Sequence, residues 1–111
     1  MATITSHTLN GSDGTHAGGI PVTLTNLTAG TVLFSTKMDS GGRLSQIIAP
    51  TLVERSATYE LVFDLTAYWA ARNRPASVTQ IVLRFAMHDP DGFYHMPVIL
   101  NPNSYSMWSS S

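Results

Sequence analysis

The fold class of this chain is decided by residues 59–64, which read YELVFD. Large apolar side chains occupy every second position there, and this period of two is typical of a β-strand that buries one face. The same alternation recurs at residues 22–25 and again at residues 81–85. Each of these segments is therefore predicted to be a half-buried strand of a β-sandwich or β-barrel.

One segment breaks the alternation. Residues 65–72, LTAYWAAR, are rich in helix formers, and we predict a helix of about two turns there, with Thr66 as the N-cap and Pro75 soon after its end. Pro97 lies inside a later extended stretch, so that strand should be an edge, bulged or unpaired at its N–H. Abundant Ser and Thr, with eight Gly and six Pro, are typical of strands and turns. Turn-forming clusters separate the strands at residues 10–14, 39–42, 74–75 and 89–92.

Length and charge exclude several classes of protein. The 111 residues allow one domain, covering residues 1–111. Six basic against seven acidic residues argue against a nucleic-acid partner, which requires a basic excess. No apolar run approaches the ~18 residues of a membrane span, and we recognise neither a signal peptide nor a peroxisomal address, so we expect a cytoplasmic protein without a membrane partner. The absence of cysteine excludes disulfides and thiolate catalysis.

Five segments carry a more specific pattern. They are SHTL at 6–9, GIPVTL at 19–24, DSGGR at 39–43, YELVFD with the following Tyr68 and Trp69, and YHMPVILNP at 94–102. In this order and spacing they resemble the 5-hydroxyisourate hydrolases, a family that shares its fold with transthyretin. The resemblance covers nearly the whole chain. It implies an all-β, transthyretin-like fold, an eight-stranded two-sheet sandwich with one short helix after the fifth strand.

The resemblance also implies a site. His7 and His95 match the two functional histidines of the family, and Arg43 matches its functional arginine. Family members are homotetramers whose active sites lie in a channel between facing sheets. We therefore expect a homotetramer with sites at the subunit interface, a small cyclic molecule as the substrate, and no cofactor. Apolar positions such as Ile99 and Trp108 fit a sheet face that is buried against another copy of the chain.

The three matched residue types suit the hydrolysis of a cyclic amide. An imidazole, with an ordinary pKa near ~6.5, can take a proton from water at neutral pH. A guanidinium can stabilise the negative charge that develops on the carbonyl oxygen. Our hypothesis is that His7 is the general base, His95 its partner and Arg43 an electrostatic clamp. Strand parity alone does not bring the two histidines together, and which of them is the base stays open.

The two remaining histidines, His16 and His88, lie beside turn signals and match no site of the family. We expect both to be exposed. The sequence contains no His-x-x-x-His spacing, and no carboxylate lies close enough in sequence to complete a zinc site. A catalytic metal is therefore not expected.

The C-terminus departs from the family, whose members typically end in Tyr-Arg-Gly-Ser. The four matching places hold Trp108, Ser109, Ser110 and Ser111. Losing one charged hydrogen bond from the missing guanidinium would weaken substrate binding or turnover by roughly 1.5–3 kcal/mol. We expect Ser106, Trp108 and Ser111 to bind substrate, with the indole either stacked on a planar substrate or covering a neighbour's edge at the tetramer interface.

Three functions stay open from the sequence. The first is hydrolysis of 5-hydroxyisourate, a step of purine metabolism that follows urate oxidation. The second is a relative redirected to another small cyclic substrate as a biosynthetic hydrolase, isomerase or cyclase. The third is a non-catalytic protein that binds a small ligand, as transthyretin does, and it ranks last because transthyretin lacks the two histidines that this chain keeps.

Overall fold

Two β-sheets and one short α-helix make up residues 1–110, which the computed structural model describes. The helix, α1, spans Thr66–Ala71, and a 3₁₀ turn spans Pro50–Leu52. The nine strands are β1 (Ala2–Asn10), β2 (Pro21–Asn26), β3 (Thr31–Lys37), β4 (Arg43–Ile48), β5 (Tyr59–Asp64), β6 (Gln80–Phe85), β7 (Phe93–His95), β8 (Val98–Leu100) and β9 (Tyr105–Met107). The predicted all-β sandwich with a single helix after the fifth strand is confirmed.

The two sheets have different strand orders. One is antiparallel throughout, with the order β3-β2-β5-β6. The other has the order β4-β1-β8-β9, and β7 also pairs with β1, which makes five strands. Strand β1 is the centre of this five-stranded sheet, because it pairs antiparallel with β4 on one side and parallel with β7 and β8 on the other.

Pro97 explains why nine strands form where eight were predicted. Strands β7 and β8 pair with β1 in the same register, so they are two halves of one strand that is interrupted at Met96 and Pro97. The Met96 N–H still donates to the Thr5 carbonyl at 2.9 Å. The proline has no N–H to donate, and the Ser6 hydroxyl donates to the Met96 carbonyl at 2.6 Å. The predicted loss of pairing at this position is confirmed.

The hydrophobic core lies between the sheets. Along β5 the side chains of Tyr59, Leu61 and Phe63 are fully buried, as their alternation predicted. Along β1 every second residue is buried, beginning with Ala2, and the residues between them are half-buried. The odd-numbered side chains of β1 therefore point away from the core, onto the outer face of the five-stranded sheet.

The helix predicted at residues 65–72 forms at Thr66–Ala71, and its predicted N-cap was wrong. Leu65 holds the N-cap position and makes no side-chain cap, while Thr66 is already the first helical residue. The reason lies one residue earlier, because the Asp64 carboxylate accepts the Thr66 N–H at 3.1 Å. Within the described part of the chain, no helix has the length and apolar character needed to cross a membrane.

Candidate active site

A row of four side-chain positions crosses the outer face of the five-stranded sheet. His7 on β1 pairs with Arg43 at the start of β4. On the other side of β1, the shared register of β7 and β8 places Pro97 beside His7. Strand β9 pairs with β8, and Ser110 beyond it forms a backbone bridge to His95 in the same register. This register places Trp108 opposite Pro97. This central row therefore contains Arg43, His7, Pro97 and Trp108.

Two further rows flank the central row, each two residues away along the strands and so roughly 7 Å distant. They contain Ser45, Thr5, His95 and Ser110 on one side, and His16, Leu9, Ile99 and Ser106 on the other. Five of the six predicted site residues, His7, Arg43, His95, Ser106 and Trp108, thus fall within three neighbouring rows of one face. The sixth, Ser111, lies outside the described residues.

A groove of about 470 Å³ opens on this face. Arg43 and His95 both line it, whereas His7 lies next to it, paired with Arg43. Its volume falls in the range of small-molecule sites, roughly 300–1,000 Å³. No group of three or more His, Cys, Asp or Glu side chains that could hold a metal ion occurs in residues 1–110. The residues that line the groove are Thr5, Ser6, Asp39, Arg43, Leu44, Ser45, Phe93 and His95.

The DSGGR turn presents Arg43 beside His7. One carboxylate oxygen of Asp39 accepts the backbone N–H groups of Gly41 and Arg43, at 2.9 and 2.8 Å. Gly42 has a φ of +73°, and its carbonyl accepts the Thr8 N–H at 2.7 Å. A Cβ at Gly42 would lie 2.5 Å from the Thr8 carbonyl oxygen, so only glycine fits this position. The arginine is therefore held at the start of β4 by the backbone of its own turn.

The Arg43 guanidinium is exposed, and among residues 1–110 no carboxylate lies within ion-pair distance of it. Arg84, by contrast, lies on the opposite sheet and pairs with Glu60 at 3.0 Å. The charge of Arg43 is thus free to act on a group in the groove or on the neighbouring His7.

The pKa of His7 lies below its ordinary value of 6.5. Desolvation of the ring is the largest cause, because burial disfavours the charged form. The positive charge of Arg43 and the nearby imidazoles of His16 and His95 lower the pKa further, while a hydrogen bond with the Gly41 backbone raises it. His7 is therefore neutral near pH 7, in the form that can accept a proton.

His95 is held from two sides. Its Nδ1 lies 2.8 Å from the Thr5 hydroxyl oxygen, the neighbour of His95 in its row. Its backbone N–H donates to the Ser110 carbonyl at 2.9 Å, and its carbonyl accepts the Ser110 N–H at 2.8 Å. Because Nδ1 is engaged by the hydroxyl, Nε2 is the ring nitrogen that remains available to a substrate.

His16 is exposed, as predicted, but it contacts the site. Its Nδ1 lies 2.9 Å from Nε2 of His7, and the two ring centroids are 4.9 Å apart. The sequence assigned His16 no role because it lies beside turn signals. Those signals were informative, since the turn at residues 10–14 folds the chain back so that His16 bridges to Leu9. His88 is exposed, as predicted, and lies in the segment before β7.

Two exposed aromatic side chains border the polar residues. Trp108, in the central row, is 49% exposed, and Phe93, at the edge of the groove, is 56% exposed. The sequence reasoning identified Trp108 but missed Phe93, although Phe93 has the same strand parity as His95. Flat apolar walls around a few polar groups are typical of sites that bind small molecules.

This combination of two sheets, one helix and a face carrying three histidines and an arginine defines the class as a transthyretin-like β-sandwich. The HIUase/Transthyretin family model matches residues 4–109. The 5-hydroxyisourate hydrolase of Deinococcus radiodurans is 34% identical, over 97% of this chain and 95% of its own, and that of Pseudomonas aeruginosa is 31% identical, over 100% and 93%. The solved structure of Klebsiella pneumoniae 5-hydroxyisourate hydrolase matches with a TM-score of 0.84 at 25% identity, over 100% of both chains. The chain belongs to the HIUase/Transthyretin family, and the resemblance noted in the sequence is confirmed.

Proposed function

We propose that this protein is a hydrolase that opens the cyclic amide of 5-hydroxyisourate or of a closely similar small cyclic substrate. The observation that carries the proposal is the convergence of His7, Arg43 and His95, from three distant parts of the chain, on neighbouring rows of one sheet face. The names of the relatives from Deinococcus radiodurans and Pseudomonas aeruginosa support the same reaction.

In this mechanism the neutral His7 accepts a proton as the oxygen of a water molecule adds to the amide carbonyl. The negative charge that builds on the carbonyl oxygen is stabilised by the paired N–H donors of Arg43. The carbon–nitrogen bond of the ring then breaks, and the proton that His7 took from the water passes to the leaving nitrogen, with His95 as the partner that relays it. His7 suits the role of base because its lowered pKa keeps it unprotonated at neutral pH.

Substrate binding is assigned to Ser106, Trp108 and Ser111. The support comes from Trp108, whose half-exposed indole shares the central row with His7 and Arg43. An indole at that position can stack on a planar ring, in place of the charged hydrogen bond that the family's Arg would donate.

The site is proposed to lie at a subunit interface of a homotetramer in the cytoplasm. Large apolar side chains on the face that carries the histidines are exposed in the single chain, including Ile47 at 62% and Phe93 at 56%. A facing sheet would cover them and would enclose His7, which lies just outside the groove of one chain. Light scattering at micromolar concentration should report a tetramer of the 12.0 kDa chain. A monomer would contradict the interface site.

The direct test uses 5-hydroxyisourate freshly made from urate and uricase. We expect the protein to accelerate the absorbance decay well beyond the spontaneous rate. No acceleration by a folded tetramer would overturn the hydrolase proposal. In that case, turnover of a different small cyclic compound would favour the redirected relative, and tight binding of an aromatic ligand without turnover would favour the non-catalytic protein.

The role of Arg43 predicts that Arg43→Ala lowers kcat/KM by about ten- to a hundredfold. This is the effect of losing one charged hydrogen bond, which contributes roughly 1.5–3 kcal/mol. Arg84→Ala is the matched control, because Arg84 lies on the other sheet and pairs with Glu60. Steady-state kinetics of both variants would check this prediction. Unchanged hydrolysis by Arg43→Ala would remove the proposed clamp.

The lowered pKa of His7 predicts the pH dependence of the reaction. A base acts in its neutral form, so a pKa below 6.5 keeps kcat/KM high at neutral pH and lets it fall only as the pH drops through the lowered value. Replacing Arg43 by Gln removes a nearby positive charge and should move the acid limb to higher pH. An acid limb at or above 6.5 in the unmodified protein would argue against His7 as the base.

A further inference from the structure

We propose that His16 is a positioning residue for His7, which it orients through an imidazole–imidazole hydrogen bond. The inference rests on the proposed hydrolase function of the same site. It is carried by the 2.9 Å distance between Nδ1 of His16 and Nε2 of His7.

His16 is held in place by backbone hydrogen bonds on both sides of it. The Asn10 N–H donates to the Thr15 carbonyl at 2.8 Å, and the Ala17 N–H donates to the Thr8 carbonyl at 2.9 Å. The segment containing His16 therefore continues the edge of the sheet beyond β4. Although its ring is exposed, its backbone is as fixed as that of a strand, which a positioning residue requires.

The register explains why the two rings meet. His16 bridges to Leu9, two residues from His7 on the same face of β1. Diagonal neighbours of this kind have Cβ atoms roughly 7–8 Å apart, within reach of two aromatic side chains. The rings are tilted by 32°, with centroids 4.9 Å apart, so the nitrogens approach at the ring edges.

The proton inventory of the pair follows from its contacts. Two neutral imidazoles joined by one N–H···N bond hold a single proton between the facing nitrogens. When that proton lies on Nε2 of His7, the His7 ring donates to Nδ1 of His16. Nδ1 of His7 is then the nitrogen without a proton, and it can accept one from water.

When water adds to the substrate, one O–H bond of the water breaks and one N–H bond forms on His7, which becomes positively charged. Arg43 from β4, His95 from β7 and His16 itself all disfavour that charge. The contribution of His16 is therefore to hold the His7 ring in the orientation that accepts the proton.

The kinetic test compares His16→Leu with His16→Asn. Leu removes the hydrogen bond, whereas Asn keeps a polar atom near the place of Nδ1 and can still bond to His7. We expect His16→Leu to lower kcat about tenfold with little change in KM, because a partner that orients a reacting group has effects of this size. His16→Asn should recover part of the lost kcat. His88→Leu, at an exposed histidine remote in sequence from both rings, is the control and should retain full activity. Unchanged kcat in His16→Leu would overturn the proposal.

A second readout does not depend on turnover. In ¹⁵N-histidine NMR of the unmodified protein, a scalar coupling across the N–H···N hydrogen bond should connect Nε2 of His7 with Nδ1 of His16. In His16→Asn this coupling should be lost, and the pKa of His7 should rise, because His16 lowers it. Absence of the coupling in the unmodified protein would overturn the pair. The coupling in a protein that does not turn over 5-hydroxyisourate would support the pair and overturn only the hydrolase function.

Discussion

His7→Ala is expected to lower kcat for 5-hydroxyisourate hydrolysis by roughly 10²- to 10⁴-fold, the range of a general base. Three features of the structure support so large an effect. The ring lies beside Arg43 in the central row, its lowered pKa keeps it neutral, and its Nε2 is engaged by His16. The alanine variant keeps the strand but leaves no group at this position that can take a proton from water.

The measurement is the decay of freshly made substrate, with the spontaneous rate subtracted. His88→Ala is the control, because it removes an exposed imidazole that lies in a different segment. Circular dichroism and light scattering would show that His7→Ala keeps the fold and the assembly. If a folded His7→Ala variant hydrolysed the substrate within threefold of the unmodified rate, the base would have to be another group, with His95 the first candidate.

Gly42→Ala is expected to reduce the free energy of unfolding by about 3 kcal/mol or more. A left-handed conformation costs a residue with a Cβ roughly 1–2 kcal/mol. The new methyl group would in addition lie 2.5 Å from the Thr8 carbonyl oxygen, which belongs to the backbone of the central strand and cannot turn aside. Because the clash pushes on the turn that presents Arg43, kcat/KM should fall as well.

Gly30→Ala separates the cost of the left-handed conformation from the cost of the close approach to Thr8. Gly30 has nearly the same φ, +74°, but a Cβ there would meet nothing within 4 Å. Its cost should therefore be only the conformational part, roughly 1 kcal/mol, without an effect on the reaction. Urea denaturation of both variants gives the comparison. Equal losses of stability would show that the close approach to Thr8 contributes nothing.

The strands could be predicted from the sequence because burial on one face imposes a period of two on the side chains. Residues 59–64 show this directly, and Pro97 was informative for the opposite reason, since its missing N–H predicted the break between β7 and β8. The helix was found, but its N-cap was misplaced, because the Asp64 carboxylate accepts the N–H of Thr66 and the helix begins at Thr66 itself. A single side-chain contact of this kind leaves no trace in composition or periodicity.

The site was less accessible to local reasoning. Whether His7 and His95 meet depends on which strands are neighbours and in what register, and these are properties of the whole sheet. The family resemblance supplied that information, and the registers now place the two histidines in adjacent rows. His16 was missed because its exposure and its place after a turn do not show which strand its backbone lies against. Treating residues 10–14 as a hairpin turn would have brought it back to β1.

The pairing of Ser110 with His95 has a practical consequence for handling the protein. The main chain of His95 is held by two hydrogen bonds to the backbone of Ser110. A deletion or an insertion between Met107 and Ser110 would therefore break this bridge and release a ring assigned to the chemistry. Preparations altered in this short stretch would differ in specific activity, so a purification tag should be placed away from it.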